Sequence, residues 1–233
     1  MAFPGRDIAV TAATVALTAV VFAAVAADGV LAHIQHLDDA WLRLMISGRS
    51  APVTAVAMFL NVLGLVYITL PVRIAIAVFL ALRRRWWHLA AFVAAIVISE
   101  ILIGTLKGIY DRPRAPGSLV ATSGASFPSG HAIAASVTAV AAVIALVPPG
   151  RRRAAWGAAA VAFSGLMALS RAYLGAHWLS DAVAGVLLGT SCALLAALVV
   201  GLLQRHRGGH RPGRPARQAR QLSPDPAEPA DQR

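Results

Sequence analysis

The feature that most constrains this chain is a succession of apolar runs, each long enough, or nearly so, to cross a lipid bilayer. A helix needs about 20 predominantly apolar residues to span the hydrocarbon core. Such runs occupy residues 8–27, 87–106, 131–147, 154–169 and 179–203, with a longer one at 53–82. Each is expected to be a helix, because the bilayer interior leaves backbone groups no partner outside their own segment. The 53–82 run is too long for one upright span and contains Gly64 and Pro71. It divides into a short interfacial helix and a span beginning near Gly64. The expected fold class is therefore all-α, a polytopic membrane protein with six transmembrane helices making one domain over residues 1–203.

Composition bears on what the spans carry. Of 233 residues 58% are hydrophobic and 13% are charged, about half the charged share of a soluble domain. A formal net charge of +11 could point to nucleic acid, but the arginines cluster between apolar runs and in the tail. That distribution belongs to cytoplasmic loops of a membrane protein and argues against a nucleic-acid partner. Arg83, Arg84 and Arg85, Arg151, Arg152 and Arg153, the tail arginines and Arg6 all fall on one side of a six-span layout. That side is expected to be the cytoplasm, with both termini inside and the loops at 107–130 and 171–181 outside. The alternative for the first run is a cleaved signal peptide, since Ala24-Val25-Ala26 resembles a cleavage site, but the run is longer than a usual signal core. Residues 33–50 place Ile34, Leu37, Trp41, Leu42 and Leu44 at helical spacing among charges, which predicts an amphipathic helix on the membrane surface. Residues 204–233 are rich in Arg, Pro, Gly and Gln and are expected to be a disordered cytoplasmic tail.

Two ionisable residues fall inside apolar runs. Arg73 and Glu100 lie at similar depth on neighbouring spans, and an unpaired charge there is costly, so they are expected to pair. Cys192 is the only cysteine, and no H-E-x-x-H or dense carboxylate cluster occurs. No disulfide, no metal and no cofactor is therefore expected.

The polar residues concentrate in the two outer loops. Lys107, Arg112, Arg114 and Arg171 stand at or near helix ends with few acids around them. Converging, they make a site for a multiply charged anion, and arginine forks suit phosphate oxygens. Pro128, Ser129 and Gly130 precede a span, so their backbone N–H groups lie at a helix N-terminus where an anion can approach closely. His177 and Asp181 are four apart at the start of the last helix, hence on one face. A carboxylate there can hold one imidazole nitrogen and leave the other basic, as a nucleophile or base requires. His131 supplies a second imidazole as proton donor. Singly, each feature has an ordinary reading: a helix start, a snorkelling lysine, a helix-end charge, and for Arg112 a solvated loop charge. Tyr110, Tyr173, Trp86, Trp87, Trp156 and Trp178 read as interfacial belt residues.

Together the motifs resemble the type 2 phosphatidic acid phosphatase (PAP2) family, which shares its site with vanadium haloperoxidases. Lys107 and Arg114 fit the first motif, with Ala115 where proline is usual; residues 128–131 fit the second; Ser170, Arg171, His177 and Asp181 fit the third. The resemblance implies a PAP2/haloperoxidase-like helical core and a metal-independent phosphatase. It makes His177 the nucleophile that forms a phosphohistidine, Asp181 its orienting acid and His131 the acid that protonates the leaving group. Lys107, Arg114, Arg171, Ser129 and Gly130 would hold the phosphate, with Arg112 a possible addition. The substrates it implies are lipid phosphates or pyrophosphates, such as undecaprenyl pyrophosphate, phosphatidic acid or phosphatidylglycerol phosphate. A lipid phosphotransferase using the same residues, and a non-catalytic lipid-phosphate carrier, are the alternatives; a carrier needs no nucleophile.

Overall fold

A computed structural model of the chain describes residues 5–209. Among these residues all regular structure is helical: α1 Gly5–Ala26, α2 Asp28–Ser47, α3 Ala51–Leu63, α4 Val66–Leu82, α5 Trp86–Tyr110, α6 Gly130–Leu146, α7 Arg151–Tyr173 and α8 Leu179–Gly209. Helices α1, α5 and α8 are long and apolar enough to cross a membrane, and α3 and α4 make a fourth candidate as a pair bent by 52°. The bend falls at Gly64 and Leu65, where the run from residue 53 to 82 was expected to divide. Helix α6 is apolar but has only 17 residues, about 25 Å at 1.5 Å per residue. Helix α7 begins on three arginines. Three to four spans are therefore met by length and composition, where six were expected.

The centre of the bundle is the α6–α8 pair, with α5 and α7 against its flanks and α1 against α8. Small residues allow the close approach. A Cβ at Gly185 would come within 2.7 Å of the Ser129 carbonyl oxygen, and one at Gly189 within 2.7 Å of that of Ile133. This is a small-xxx-small contact, the pattern that lets helix backbones pack in a membrane where burial of apolar surface gives no bias between helices. Around it Leu80, Phe92, Ile133, Val137, Leu188 and several alanines form the main buried cluster. On the α1 side, the hydroxyls of Thr18 and Ser191 are 2.8 Å apart in a buried hydrogen bond.

Arg73 donates to Glu100 at 2.7 Å and to Thr138 Oγ1 at 2.9 Å, so the intraspan pair expected from the sequence is present. Helix α2 begins at Asp28, earlier than the amphipathic pattern at 33–50, and turns Asp38 and Leu42 inward. Helix α8 runs past residue 203 to Gly209, so the first residues assigned to the tail are helical, and the Arg207 guanidinium sits 5.7 Å from the Trp87 ring. The rest of the tail lies outside the described residues. Two aromatics assigned to an interfacial belt are buried instead. Tyr173 places its hydroxyl 2.8 Å from that of Thr54, and Trp178 donates to the Pro113 carbonyl at 2.9 Å. A phenol or indole buried with its polar atom satisfied is a core residue, which composition alone does not separate from a belt residue.

The two ends of the bundle differ in chemistry. Asp7, Arg151 and Arg153 line one cleft, and Arg83 and Arg85 another. At the opposite end, the termini of α5, α6, α7 and α8 meet under the loops at 111–129 and 174–178.

Candidate active site

Helix α5 ends at Tyr110 and is followed by Asp111, which adopts a left-handed conformation and turns the chain back over the bundle. The loop that follows carries Arg112 and Arg114 and returns to Ser129 at the start of α6. The Ser129 N–H donates to the Asp181 carbonyl at 3.1 Å, so the starts of α6 and α8 are tied directly. Lys107, Arg114, Ser129, Gly130, His131, Arg171, His177 and Asp181 are thereby gathered at one end of four helices, although residues 107 and 181 are far apart in the chain.

His177 is 4% exposed. Its Nδ1 lies 2.8 Å from the Ser126 carbonyl oxygen, and because a carbonyl only accepts, Nδ1 carries the proton. The Nε2 lone pair then faces Arg114, whose Nη1 is 3.5 Å away. Asp181 was expected to hold the imidazole directly. Its Oδ2 stands 3.7 Å from Nδ1, close enough to act by charge, while the hydrogen bond goes to Ser126. The Asp181 carboxylate is itself fully engaged: Oδ2 accepts from the Ser126 hydroxyl and from the Trp178 N–H, and Oδ1 from Arg112 at 2.7 Å. The His177 imidazole is held below its ordinary value of 6.5, chiefly by burial; Asp181 opposes the shift, and Arg171 and Arg114 add to it.

The cations divide into two kinds. Arg114 donates to the carbonyls of Ser123, Gly124, Ala125 and Ala176, and Lys107 donates to the Ala125 carbonyl. Their charges reach the site while their N–H groups organise the loop. Arg171 bonds the Asn61 side chain, and its Nε is buried without a partner. The Ser129 hydroxyl and His131 Nε2 are likewise buried and unpartnered. Orphans on Arg171 and Ser129, expected to hold phosphate, and on His131, the expected proton donor, are a set that an anion would satisfy. Arg112 is no solvated loop charge: it is 5% exposed, both its Nη atoms are bonded, to Asp181, Asp38, Gln35 and Ser180, and its Nε is buried without a partner.

Several participants are invisible as motifs. Ser126 acts through its carbonyl and hydroxyl. Asn61 ends α3 beside Arg171, and Gly64 leaves room for the His131 ring, which a Cβ there would overlap. Asp38 gives one readable signal, since it interrupts the inward stripe of Leu31, Ile34 and Leu42 on α2. Among the described residues, no three or more His, Cys, Asp or Glu side chains are grouped to hold a metal ion.

Residues 88–205 match the PAP2 superfamily, and the chain belongs to it. Its fold is similar to that of a transmembrane PAP2-type phosphatidylglycerolphosphate phosphatase from Bacillus subtilis, at a TM-score of 0.69 and 24% identity over 84% of this chain and 96% of the other. It is also similar to LpxE of Aquifex aeolicus, at a TM-score of 0.55 and 22% identity over 66% of this chain and 91% of that one. No curated protein matches the chain. The protein is a multi-pass membrane protein with the PAP2-like helical fold.

Proposed function

We propose that the chain hydrolyses a lipid phosphate or lipid pyrophosphate through a phosphohistidine on His177, at a site on the outer side of the cytoplasmic membrane, with six spans and both termini inside. The observation that carries the reading is the state of His177: a buried imidazole with Nδ1–H committed to Ser126 and its Nε2 lone pair on the cation side.

In the first step Nε2 attacks phosphorus. The P–N bond forms as the P–O bond to the lipid breaks, and the departing oxygen takes a proton from His131. The phosphorylated ring keeps its Nδ1 proton, and its positive charge faces the Ser126 carbonyl and the Asp181 carboxylate. Water then attacks phosphorus and gives a proton to His131; the P–N bond breaks and orthophosphate leaves. Lys107, Arg114, Arg171, Ser129 and the Gly130 N–H surround the phosphoryl oxygens, and positioning with charge stabilisation is what this chemistry chiefly needs.

Phosphatidylglycerol phosphate, phosphatidic acid and undecaprenyl pyrophosphate are the substrates to compare, the first because a relative of the same fold is a phosphatidylglycerolphosphate phosphatase. Phosphate release by the detergent-purified protein, with chelator and without added metal, tests the reading beside His177→Ala. Release that survives chelator and is abolished in the variant supports it; release persisting in His177→Ala overturns the phosphohistidine step. For orientation, Thr122→Cys lies on the exposed part of the site loop. It should react with a membrane-impermeant maleimide in intact cells, and protection until lysis would reverse the assignment.

A further inference from the structure

The surface helix α2 reaches the site through a single carboxylate. Asp38 is 2% exposed in mid-helix. Its Oδ2 accepts from Arg112 Nη2 at 2.8 Å and from the Ser180 hydroxyl at 2.5 Å, and its Oδ1 accepts from the Ser180 N–H at 2.9 Å. That N–H belongs to the first turn of α8, where amides have no acceptor within the helix, so α2 caps α8 from outside. On its other edge Arg112 donates to Asp181 Oδ1 at 2.7 Å, and its Cζ lies 5.6 Å from the centroid of the Trp178 ring. The result is a carboxylate–guanidinium–carboxylate chain, buried throughout and ending beneath His177. A buried ion network is poor evidence of stability, because desolvation offsets most of the attraction. Its geometry has another use.

We propose that Asp38 is a positioning residue of the reaction: through Arg112 it fixes the Asp181 carboxylate beneath His177, and through Ser180 it fixes the start of α8. The inference rests on the reading of His177 as nucleophile. Two carboxylates sharing one guanidinium leave net negative charge under the imidazole. The other charged groups that influence it are Arg171 on α7 and Arg114 in the loop, and the titratable imidazole of His131 on α6 is coupled to it. Lys107 on α5 feels the charges of Arg114 and Asp181. Removing Asp38 alone leaves Arg112 unshared and makes the surroundings of His177 more positive. Removing Asp38 and Arg112 together takes away the nearer cation and a more distant anion, which makes them more negative.

The test is phosphate release against pH for Asp38→Asn and for Asp38→Asn combined with Arg112→Gln, each with a thermal melt in detergent. Asp38→Asn should lower kcat by roughly tenfold to a hundredfold, the range found when the outer partner of a metal-bound imidazole is lost. Its acid limb of kcat/KM should move to lower pH, and that of the double variant to higher pH. A merely structural role would lower the melting temperature and the rate and leave both limbs in place; that result overturns the proposal. Should Asp38→Asn not fold, the double variant, which leaves neither of the pair buried alone, carries the test, and an unmoved limb in it is equally fatal. His177→Ala run alongside separates the two failures. If it stays active the nucleophile is wrongly assigned, whereas if it is inactive and the limbs are fixed only the role of Asp38 falls.

Discussion

The imidazole of His131 stands where a side chain of residue 64 would begin: a Cβ at Gly64 would overlap the ring's Cδ2. Gly64 has an ordinary right-handed conformation, so alanine there meets no backbone penalty and acts by sterics alone. Gly64→Ala should displace the proposed general acid. The loss should be large, on the order of a hundredfold, for a lipid alcohol leaving group that needs a proton, and small for p-nitrophenyl phosphate, whose leaving group does not. Equal losses on both substrates would show that the substitution disturbs something other than proton donation.

The neutral form of His177 is the reactive one in the proposed mechanism. Burial holds its imidazole below the usual value of 6.5, so activity is present above that lowered value and disappears as pH falls through it. The acid limb of kcat/KM, which reports the free enzyme, should therefore lie below the range of an exposed histidine. A limb above 6.5 would mean that Asp181 outweighs burial.

Close packing of α6 on α8 rests on the absence of side chains at residues 185 and 189. Gly189→Val should lower the midpoint of thermal unfolding, because the inserted carbons meet the Ile133 carbonyl and the Ser136 hydroxyl. Overpacking of this kind costs about 1–3 kcal/mol. An unchanged melt would show that the two helices can separate without loss.

Arg73 and Glu100 should behave as a unit. Arg73→Met leaves a carboxylate in the span, and Glu100→Gln leaves a guanidinium whose side chain is only 10% exposed. Each single variant should destabilise, and the double Arg73→Met, Glu100→Leu should recover part of the loss, with a coupling of about 1 kcal/mol or more. Strict additivity in the melts would remove the case for a functional pair.

The site motifs were legible because each occupies a helix end and keeps its spacing there: Lys107 closes α5, residues 129–131 open α6, Arg171 closes α7 and Asp181 opens α8. What escaped was contributed by other helices. Asp38 and Asn61 are common residues whose partners lie far along the chain, and Ser126 matters partly through its carbonyl, which every residue possesses. The expected link from Asp181 to His177 is a case in point. Helical spacing places the two on one face, but cannot show that a loop carbonyl stands nearer to the ring nitrogen. The count of six spans is met in part by length and apolarity, since α7 opens on three arginines and α6 has only 17 residues.

The carbonyls of residues 123–125 have a further consequence for turnover. All three accept from Arg114, and that of Ala125 also accepts from Lys107, so these cations are already partly solvated, by protein, before any substrate arrives. An incoming headgroup finds charge whose orientation is set and need not strip ordered water from it. When orthophosphate departs, the same oxygens remain in place, and Lys107 and Arg114 are not left as bare positive charge. Product should therefore be held far less tightly than clustered cations alone would dictate, and the cycle can reset without the loop having to refold.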